Sequence, residues 1–162
     1  MNRTNFITRI AILTALACVL TFFPKVPVGG GYVHFGDCII YIAAILMGPV
    51  AGMIVGAIGH SLADLISGFA IFCVPTLIIK GLMGFVIGKI LYKTYTLPRF
   101  VISALSALVI VTVGYFIAEI PLFGYETAVI SLISSPIQWA MSLIPSAILL
   151  PFLIKNKKRL GF

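Results

Sequence analysis

Residues 38–63 read CIIYIAAILMGPVAGMIVGAIGHSLA and contain no formally charged side chain. A helix crosses the hydrocarbon core of a bilayer with about 20 residues, so this stretch is too long for one comfortable span. It is interrupted at Met47-Gly48-Pro49, and proline is tolerated in the first turn of a helix but not in its interior. We therefore predict a short helix over about Asp37–Met47 and a longer one over about 49–67.

The rest of the chain has the same apolar character. Of its 162 residues, 61% are hydrophobic and 9% are charged, whereas a soluble domain carries about a quarter charged residues. Too few polar side chains remain to cover a water-facing surface, which excludes a secreted domain, a nucleic-acid-binding module and almost any soluble enzyme. We predict an all-α membrane protein with a single integral membrane domain, residues 1–162.

Four further apolar runs complete a predicted bundle of six transmembrane helices. We expect them at about 6–23, 75–92, 100–118 and 127–154. Between the first and second helices lies a loop, 24–36, with three successive glycines and two prolines. A shorter break at 68–74 separates the third helix from the fourth.

The basic residues set the expected orientation, because Lys and Arg concentrate in cytoplasmic segments. With a cytoplasmic N-terminus, nine of the eleven basic residues lie on the inner side. The nine are Arg3, Arg9, Lys89, Lys93, Arg99, Lys155, Lys157, Lys158 and Arg159. Only Lys25 falls in an outer loop, and Lys80 lies within a span. We therefore expect both termini in the cytoplasm, which fits an even number of helices.

Polar chemistry concentrates near the outer ends of the predicted helices. Asp64 lies near the outer end of the third helix, Lys80 lies in the fourth, and Glu119 closes the fifth. The other members of this layer are His34, Asp37, His60, Glu126, Gln138 and Trp139. The inner halves of the helices are nearly free of such groups, so we expect a polar site on the outer side.

Asp64 and Lys80 are the two ionisable residues least able to reach water at a helix end. An ionisable side chain within a span costs roughly 2.5–3.5 kcal/mol on insertion scales. One interpretation is that the two neutralise each other across adjacent helices. The other is that they line a polar cavity open to the outside and contact a solute. The interpretations are compatible, because a solute can join an existing ion pair.

Two His/Asp pairs raise the question of a metal site. His60 and Asp64 are spaced i, i+4 and share a helix face, while His34 and Asp37 are close across a loop-to-helix turn, where Asp37 is placed to be the N-cap. Zinc usually takes Cys or several His ligands, and hard metals want more carboxylates. We therefore predict no metal.

The three cysteines, Cys18, Cys38 and Cys73, match no zinc or redox spacing. They lie far apart in apolar sequence. We expect three buried free thiols and no cofactor.

Small residues recur at every fourth position, a spacing that lets helix backbones approach closely in lipid. The glycines of this pattern, which we expect to pack within the chain, are Gly48, Gly52, Gly56, Gly84 and Gly88. Ala11 and Ala15 differ, because the first helix can offer that flat face to another membrane protein.

These motifs together resemble the substrate-binding S components of energy-coupling factor (ECF) vitamin transporters. The resemblance covers essentially the whole chain. Its most specific stretches are Tyr32-Val33-His34-Phe35-Gly36-Asp37, Leu46-Met47-Gly48-Pro49-Val50-Ala51-Gly52, Gly56 through Asp64, and Thr76-Leu77-Ile78-Ile79-Lys80-Gly81. The segment Ala11-Ile12-Leu13-Thr14-Ala15 is similar to the motif through which such proteins dock on the shared transmembrane coupling subunit.

The resemblance implies a multi-pass vitamin-binding subunit of a prokaryotic cell membrane that works with a coupling subunit and two ATPases. The first outer loop and the loop at 69–74 would close over the solute. The residues expected to bind it are Tyr32, Phe35 or Trp139 by stacking and His34, Asp37, Asp64 and Lys80 by hydrogen bonding. His60 and Gln138 complete the expected substrate-binding set. We favour a pyridoxine or hydroxymethylpyrimidine type of substrate over riboflavin, pantothenate or folate.

Two other classes of function stay open at this point. A solitary secondary carrier would use Asp64 or Glu119 as a proton site, and without an inverted second half it would have to work as an oligomer. A small intramembrane enzyme acting on a lipid head group would need paired acids or metal ligands near the cytoplasmic face. That face offers only Lys and Arg, so we do not expect an enzyme.

Overall fold

The structure, a computed structural model, describes residues 2–28, 31–157, 159 and 161. Within these residues the chain forms six α-helices and a small two-stranded sheet. The helices are α1 (Arg3–Phe22), α2 (Asp37–Met47), α3 (Pro49–Ile66), α4 (Cys73–Leu91), α5 (Leu97–Phe123) and α6 (Tyr125–Lys155). The predicted all-α class is confirmed. Five helices are long and apolar enough to cross a membrane, whereas α2 is shorter.

Two glycines with left-handed backbone conformations separate consecutive helices without an intervening loop. Gly48 has φ +101° between α2 and α3, and Gly124 has φ +86° between α5 and α6. A side chain is strained in this region, so glycine is the residue that ends one helix and starts the next at an angle. Pro49 then begins α3 at a position where its missing N–H costs nothing. The predicted break at residues 47–49 is confirmed.

Helix α5 is longer than the sequence analysis predicted. It begins at Leu97 and continues through Pro121 to Phe123. Glu119 therefore lies inside α5, and the prediction that it closes the helix is wrong. Pro121 lacks the N–H that would bond to the carbonyl oxygen of Ile117, and α5 ends two residues after it.

A β-hairpin occupies part of the region that we expected to be loop. Strand β1 (Val26–Val28) pairs antiparallel with β2 (Gly31–Val33), with Val26 opposite Val33. Gly29 and Gly30, two of the three successive glycines, lie outside the described residues. A 3-10 turn at Ala70–Phe72 fills the predicted break between α3 and α4. The hairpin and this turn lie at the same end of the bundle, as the contact of Tyr32 with Phe69 shows.

Helices α3 and α4 pack with their backbones in close approach. A Cβ atom added to Gly52 would lie 2.6 Å from the carbonyl oxygen of Gly84, and one added to Gly56 would collide with the backbone of Lys80. Packing of the glycines within the chain is thus confirmed. The contact at Gly56 fixes the depth at which Lys80 sits beside α3.

The two ends of the chain meet at one end of the bundle. The guanidinium group of Arg9 donates to the carbonyl oxygen of Gly161 over 3.0 Å. This contact fits the expectation that both termini share a side of the membrane. Of the nine basic residues assigned to that side, Lys158 lies outside the described residues.

The outer surface of the bundle is apolar. Ile12, Ile78, Val109 and Ile148, on four different helices, are each more than half exposed. Large apolar side chains pointing outward all around a bundle are expected where the solvent is lipid. Cys18, Cys38 and Cys73 are free, as predicted, but only Cys38 is fully buried.

Candidate functional site

Polar side chains converge on a cavity at the hairpin end of the bundle. The cavity and its mouth enclose about 690 Å³ of empty space. Of the residues that we expected to bind a solute, six line it: Tyr32, His34, His60, Asp64, Lys80 and Gln138. The other lining residues are Thr21, Phe69, Phe72, Thr76, Val111, Tyr115, Glu119, Ser131, Ser134 and Ser135.

Lys80 forms a buried ion pair with Asp37. Its Nζ lies 2.8 Å from Oδ1 and 2.7 Å from Oδ2 of that carboxylate, and both side chains are almost completely buried. The interpretation that Lys80 neutralises Asp64 is therefore wrong. The predicted N-cap role of Asp37 is also wrong, because Gly36 occupies the cap and the carboxylate of Asp37 points at Lys80. Asp37 thus lies behind the cavity wall and holds its lysine.

His60 contacts the same carboxylate from α3. Its Nδ1 lies 3.1 Å from the carbonyl oxygen of Gly56, which can only accept, so Nδ1 carries a proton. Its Nε2 lies 3.0 Å from Oδ1 of Asp37 but out of line for a hydrogen bond. The imidazole is therefore held by the helix backbone beside the ion pair.

Gln138 of α6 clamps the segment that follows β2. Its Oε1 accepts from the backbone N–H of His34 at 2.7 Å, and its Nε2 donates to the His34 carbonyl at 3.1 Å. Nε2 also lies 3.3 Å from Oδ2 of Asp37. Ser142 adds a second donor to the His34 carbonyl. One amide thereby joins α6, the loop and the start of α2.

His34, Asp37 and His60 are close enough to ask whether they hold a metal, since their ligand atoms lie within 4.8 Å of one another. His34 Nδ1 accepts from the backbone N–H of Gly36, and both oxygens of Asp37 are engaged by Lys80. The one carboxylate is already neutralised by the Lys80 ammonium group, whose charge would repel a cation, so this donor set does not fit a metal ion. Burial lowers the pKa of His34 well below its ordinary value, which keeps this imidazole neutral.

Tyr32 connects the hairpin to α3. Its hydroxyl donates to Oδ1 of Asp64 over 2.7 Å. Burial and the adjacent carboxylate raise the pKa of Tyr32, so the hydroxyl keeps its proton. The second oxygen of Asp64 is buried and has no hydrogen-bond partner among the described residues. Because Asp64 lines the cavity, this oxygen is an unpaired acceptor next to it.

Aromatic rings cover the mouth. Tyr32 lies 5.4 Å from Phe69 between ring centroids, and Phe72 stacks on Phe123 at 5.4 Å and lies 6.4 Å from Tyr115. Phe69 and Phe72 belong to the loop that we expected to close over the solute, whereas Tyr115 was not among the expected residues.

Lys25 fastens the hairpin to the end of α3. Its ammonium group lies 4.5 Å from the centroid of the Tyr32 ring and donates to the hydroxyl of Ser67. Cation–π contacts of this kind contribute roughly 0.5–1 kcal/mol at exposed sites. The contacts of Lys25 hold the hairpin over the cavity.

Helices α5 and α6 supply a hydroxyl-rich wall that the sequence analysis did not single out. Tyr115 shares a hydrogen bond of 3.0 Å with Thr76, and Ser131, Ser134 and Ser135 face the cavity. Serine and threonine are common in membrane helices as packing residues. Their residue type alone therefore gave no signal for a site.

Phe35 and Trp139 do not reach the cavity in the described part of the chain. The indole N–H of Trp139 donates to the carbonyl oxygen of Ala104 over 2.8 Å, and its ring packs against the apolar core. Phe35 is half-buried, and its N–H donates to the carbonyl of Leu20. The expected stacking roles of these two residues are corrected in favour of rings from the cover and α5.

Ala11 and Ala15 are exposed on α1. They lie among outward-facing apolar residues, including Ile7, Ile12 and Leu16. This face of α1 is not packed against the bundle. The exposure of this face is confirmed, and its docking role stays a prediction.

Comparison with known proteins decides the family. A family model for the S component of an ECF-type riboflavin transporter matches residues 1–158. The chain belongs to this family of S components. The resemblance seen in the sequence is thereby confirmed, and the protein is a transporter component of the membrane rather than an enzyme.

Two relatives are similar to this chain over most of their own length. A thiamine precursor transporter, HmpT, of Lactococcus lactis subsp. cremoris (strain MG1363) is 29% identical over 159 residues, which cover 96% of this chain and 92% of HmpT. An uncharacterized protein of Pyrococcus woesei is 31% identical over 119 residues, 74% of this chain and 80% of its own. The family is named for riboflavin, and one of the two relatives is named for a thiamine precursor.

Proposed function

We propose that this S component binds a pyridoxine- or hydroxymethylpyrimidine-type heteroaromatic at the outer side of the cell membrane. It passes that cargo inward with a transmembrane coupling subunit and two ATPases. The observation that carries the proposal is a cavity with hydrogen-bonding groups at its base and aromatic rings at its mouth. A small flat ring with polar substituents satisfies both parts at once.

The groups at the base offer complementary donors and acceptors. Lys80 has three N–H donors, of which two bonds go to Asp37, so one N–H is left for cargo. Asp64 offers the unpartnered Oδ2 as an acceptor. His34 and Gln138 complete the base of the cavity, and their positions are fixed by their mutual hydrogen bonds. Such prearranged groups lower the entropic cost of binding.

The mouth supplies the apolar surfaces for the ring. Phe72 and Tyr115 face each other edge to face, and Phe69 lies beside Tyr32. A heteroaromatic ring that packs against these side chains gains aromatic contacts and loses water from the face that it buries. Since the cover consists of the hairpin and a short 3-10 turn, its opening and closing would admit cargo without moving the long helices.

The single-ring substrate is favoured by the compactness of the polar base. The carboxylate of Asp37 is contacted by three side chains at 2.7–3.3 Å, those of His60, Lys80 and Gln138. Most polar atoms of this cluster are bonded to one another, so two or three ring substituents saturate those that remain. The nearly full-length similarity to a protein named as a thiamine precursor transporter supports the same choice. Riboflavin is the alternative cargo, and the family's description supports it.

The test is a binding series on the purified protein by isothermal titration calorimetry. Hydroxymethylpyrimidine and pyridoxine are expected to bind at least about tenfold more tightly than riboflavin. Asp64→Ala and Lys80→Ala are expected to weaken binding. Lys89 is an exposed lysine on α4, the helix of Lys80, and Lys89→Ala is expected to leave binding unchanged. Unchanged affinity in folded Asp64→Ala and Lys80→Ala proteins contradicts the proposal.

A solitary carrier is the second candidate, because Asp64 has no basic partner within ion-pair distance in the described part of the chain. Intramembrane acids of this kind serve proton-coupled carriers. Uptake in cells that lack the coupling subunit and ATPases distinguishes the two candidates. Loss of uptake in such cells supports the S-component mechanism, and persistent uptake supports the carrier.

A further inference from the structure

The acids that line the cavity are not all neutralised. Asp37 is paired with Lys80 behind the wall. Asp64 and Glu119 face the cavity, and neither has a Lys, Arg or His within ion-pair distance among the residues that the structure describes. The cavity surface therefore carries more formal negative than positive charge.

Asp64 is the more deeply placed of the two. The residue is 6% exposed, Oδ1 accepts from the Tyr32 hydroxyl, and Oδ2 has no partner. The nearest basic group on the hairpin, that of Lys25, is engaged by the Tyr32 ring and the Ser67 hydroxyl. A buried carboxylate oxygen without a donor is costly. It is relieved by a ligand that brings an N–H or a positive charge.

Glu119 lies where two cavities adjoin. It lines the site and also a neighbouring cavity that shares Phe69, Phe72, Ser131 and Ser134 with it. A substituent that extends from a bound ring past Phe72 meets this second acid. An anionic substituent would be repelled by it in a surrounding of low dielectric constant, where charge interactions are strong.

We propose that the cavity selects cargo by charge, with Asp64 and Glu119 as its specificity-determining residues. It accepts an unphosphorylated heteroaromatic that presents an amino group or a protonated ring nitrogen to Asp64. It rejects the phosphate ester of the same compound. This inference rests on the proposed binding of a vitamin or vitamin precursor, and it adds the charge class of the cargo.

The test compares each parent compound with its own phosphate ester by calorimetry on the folded protein in detergent. The parents are hydroxymethylpyrimidine, pyridoxine and riboflavin, and each is paired with its own monophosphate. We expect the ester of whichever parent binds to be at least about 100-fold weaker, because specificity is a difference of affinities and repulsion supplies it. An ester that binds within about threefold of its parent overturns charge selection and leaves vitamin binding intact.

Isosteric variants assign the effect to the two acids. Asp64→Asn and Glu119→Gln are each expected to reduce the ratio between the affinity for the parent and the affinity for its ester at least about tenfold. Glu126→Gln, an exposed acid near the start of α6, serves as the matched control and keeps the ratio. Should Asp64→Asn fail to fold, Glu119→Gln decides the matter. An unchanged ratio in folded variants overturns the assignment, and binding of neither parents nor esters overturns the proposed function together with this inference.

Discussion

The ammonium group of Lys80 lies within 2.8 Å of both carboxylate oxygens of Asp37. The pair joins the middle of α4 to the first residue of α2, and both side chains are almost completely buried. A charge in this position is tolerated only with its partner, because desolvation is offset by the ion pair and its hydrogen bonds. The pair therefore fixes how α2 and α4 meet.

Lys80→Met removes one member of this pair and leaves the carboxylate of Asp37 buried without compensation. We expect a loss of about 3–5 kcal/mol in the free energy of unfolding. Thermal unfolding in detergent measures it, with Lys89→Met on the exposed side of α4 as control. The double variant Lys80→Met/Asp37→Asn is expected to recover part of the loss, since neither charge remains. Equal melting temperatures for Lys80→Met and the control contradict the pairing.

Tyr32→Phe removes the hydroxyl that donates to Asp64. A hydrogen bond to a charged group contributes roughly 1.5–3 kcal/mol, so we expect about a 10- to 100-fold faster release of bound cargo as the hairpin loses its hold on α3. Stopped-flow measurement of the dissociation rate checks this. Tyr125→Phe, an exposed tyrosine at the start of α6, is the control. A release rate like that of the control shows that the hydroxyl does not hold the cover.

Ala15→Leu adds bulk to the exposed face of α1. We expect cargo affinity and melting temperature to stay unchanged, because the side chain contacts no part of the bundle core. Co-purification with the coupling subunit is expected to fall, since a flat small-residue face permits close helix contact. Ala147→Leu places the same change on an exposed position of α6. Equal loss in both variants would mean that α1 is not the docking helix.

Burial lowers the pKa of His34, and this predicts how stability depends on pH. The unfolded histidine takes up a proton below its ordinary pKa of about 6.5, whereas the folded one does not. Stability from this group is therefore complete above about pH 6.5 and falls as the pH decreases, with a slope of at most about 1.4 kcal/mol per pH unit. Melting temperatures between pH 7.5 and 5.5 measure it. His34→Gln is expected to flatten the curve, and an equally steep curve in that variant contradicts the assignment.

The sequence predicted helix boundaries and site residues correctly where a residue type is compatible with few structural environments. Gly48 followed by Pro49 predicted the boundary between α2 and α3, because proline is tolerated in the first turn of a helix and disrupts its interior. Lys80 and Asp64 were recognised as members of a polar site because ionisable residues in a span are rare. These inferences needed no knowledge of how the helices are rotated.

The partner of Lys80 could not be read from the sequence for the opposite reason. Asp37 and Asp64 both lie in the outer layer, and the choice between them depends on the rotation and depth of α4 against its neighbours. Those are set by the backbone contact at Gly56. The aromatic residues pose the same problem, because rings are frequent in every apolar helix. Trp139 and Tyr115 are both aromatic residues within apolar helices, yet only Tyr115 lines the cavity.

The shortness of α2 has a consequence for translocation. Its 11 residues extend about 16 Å, roughly half the thickness of the hydrocarbon core. Its final turn lies near the end of α4, since Gly48 adjoins Tyr92. Asp37 therefore lies about half the length of a membrane-spanning helix away from that end of α4. Under the proposed function, cargo bound next to Asp37 has about half of the hydrocarbon core left to cross.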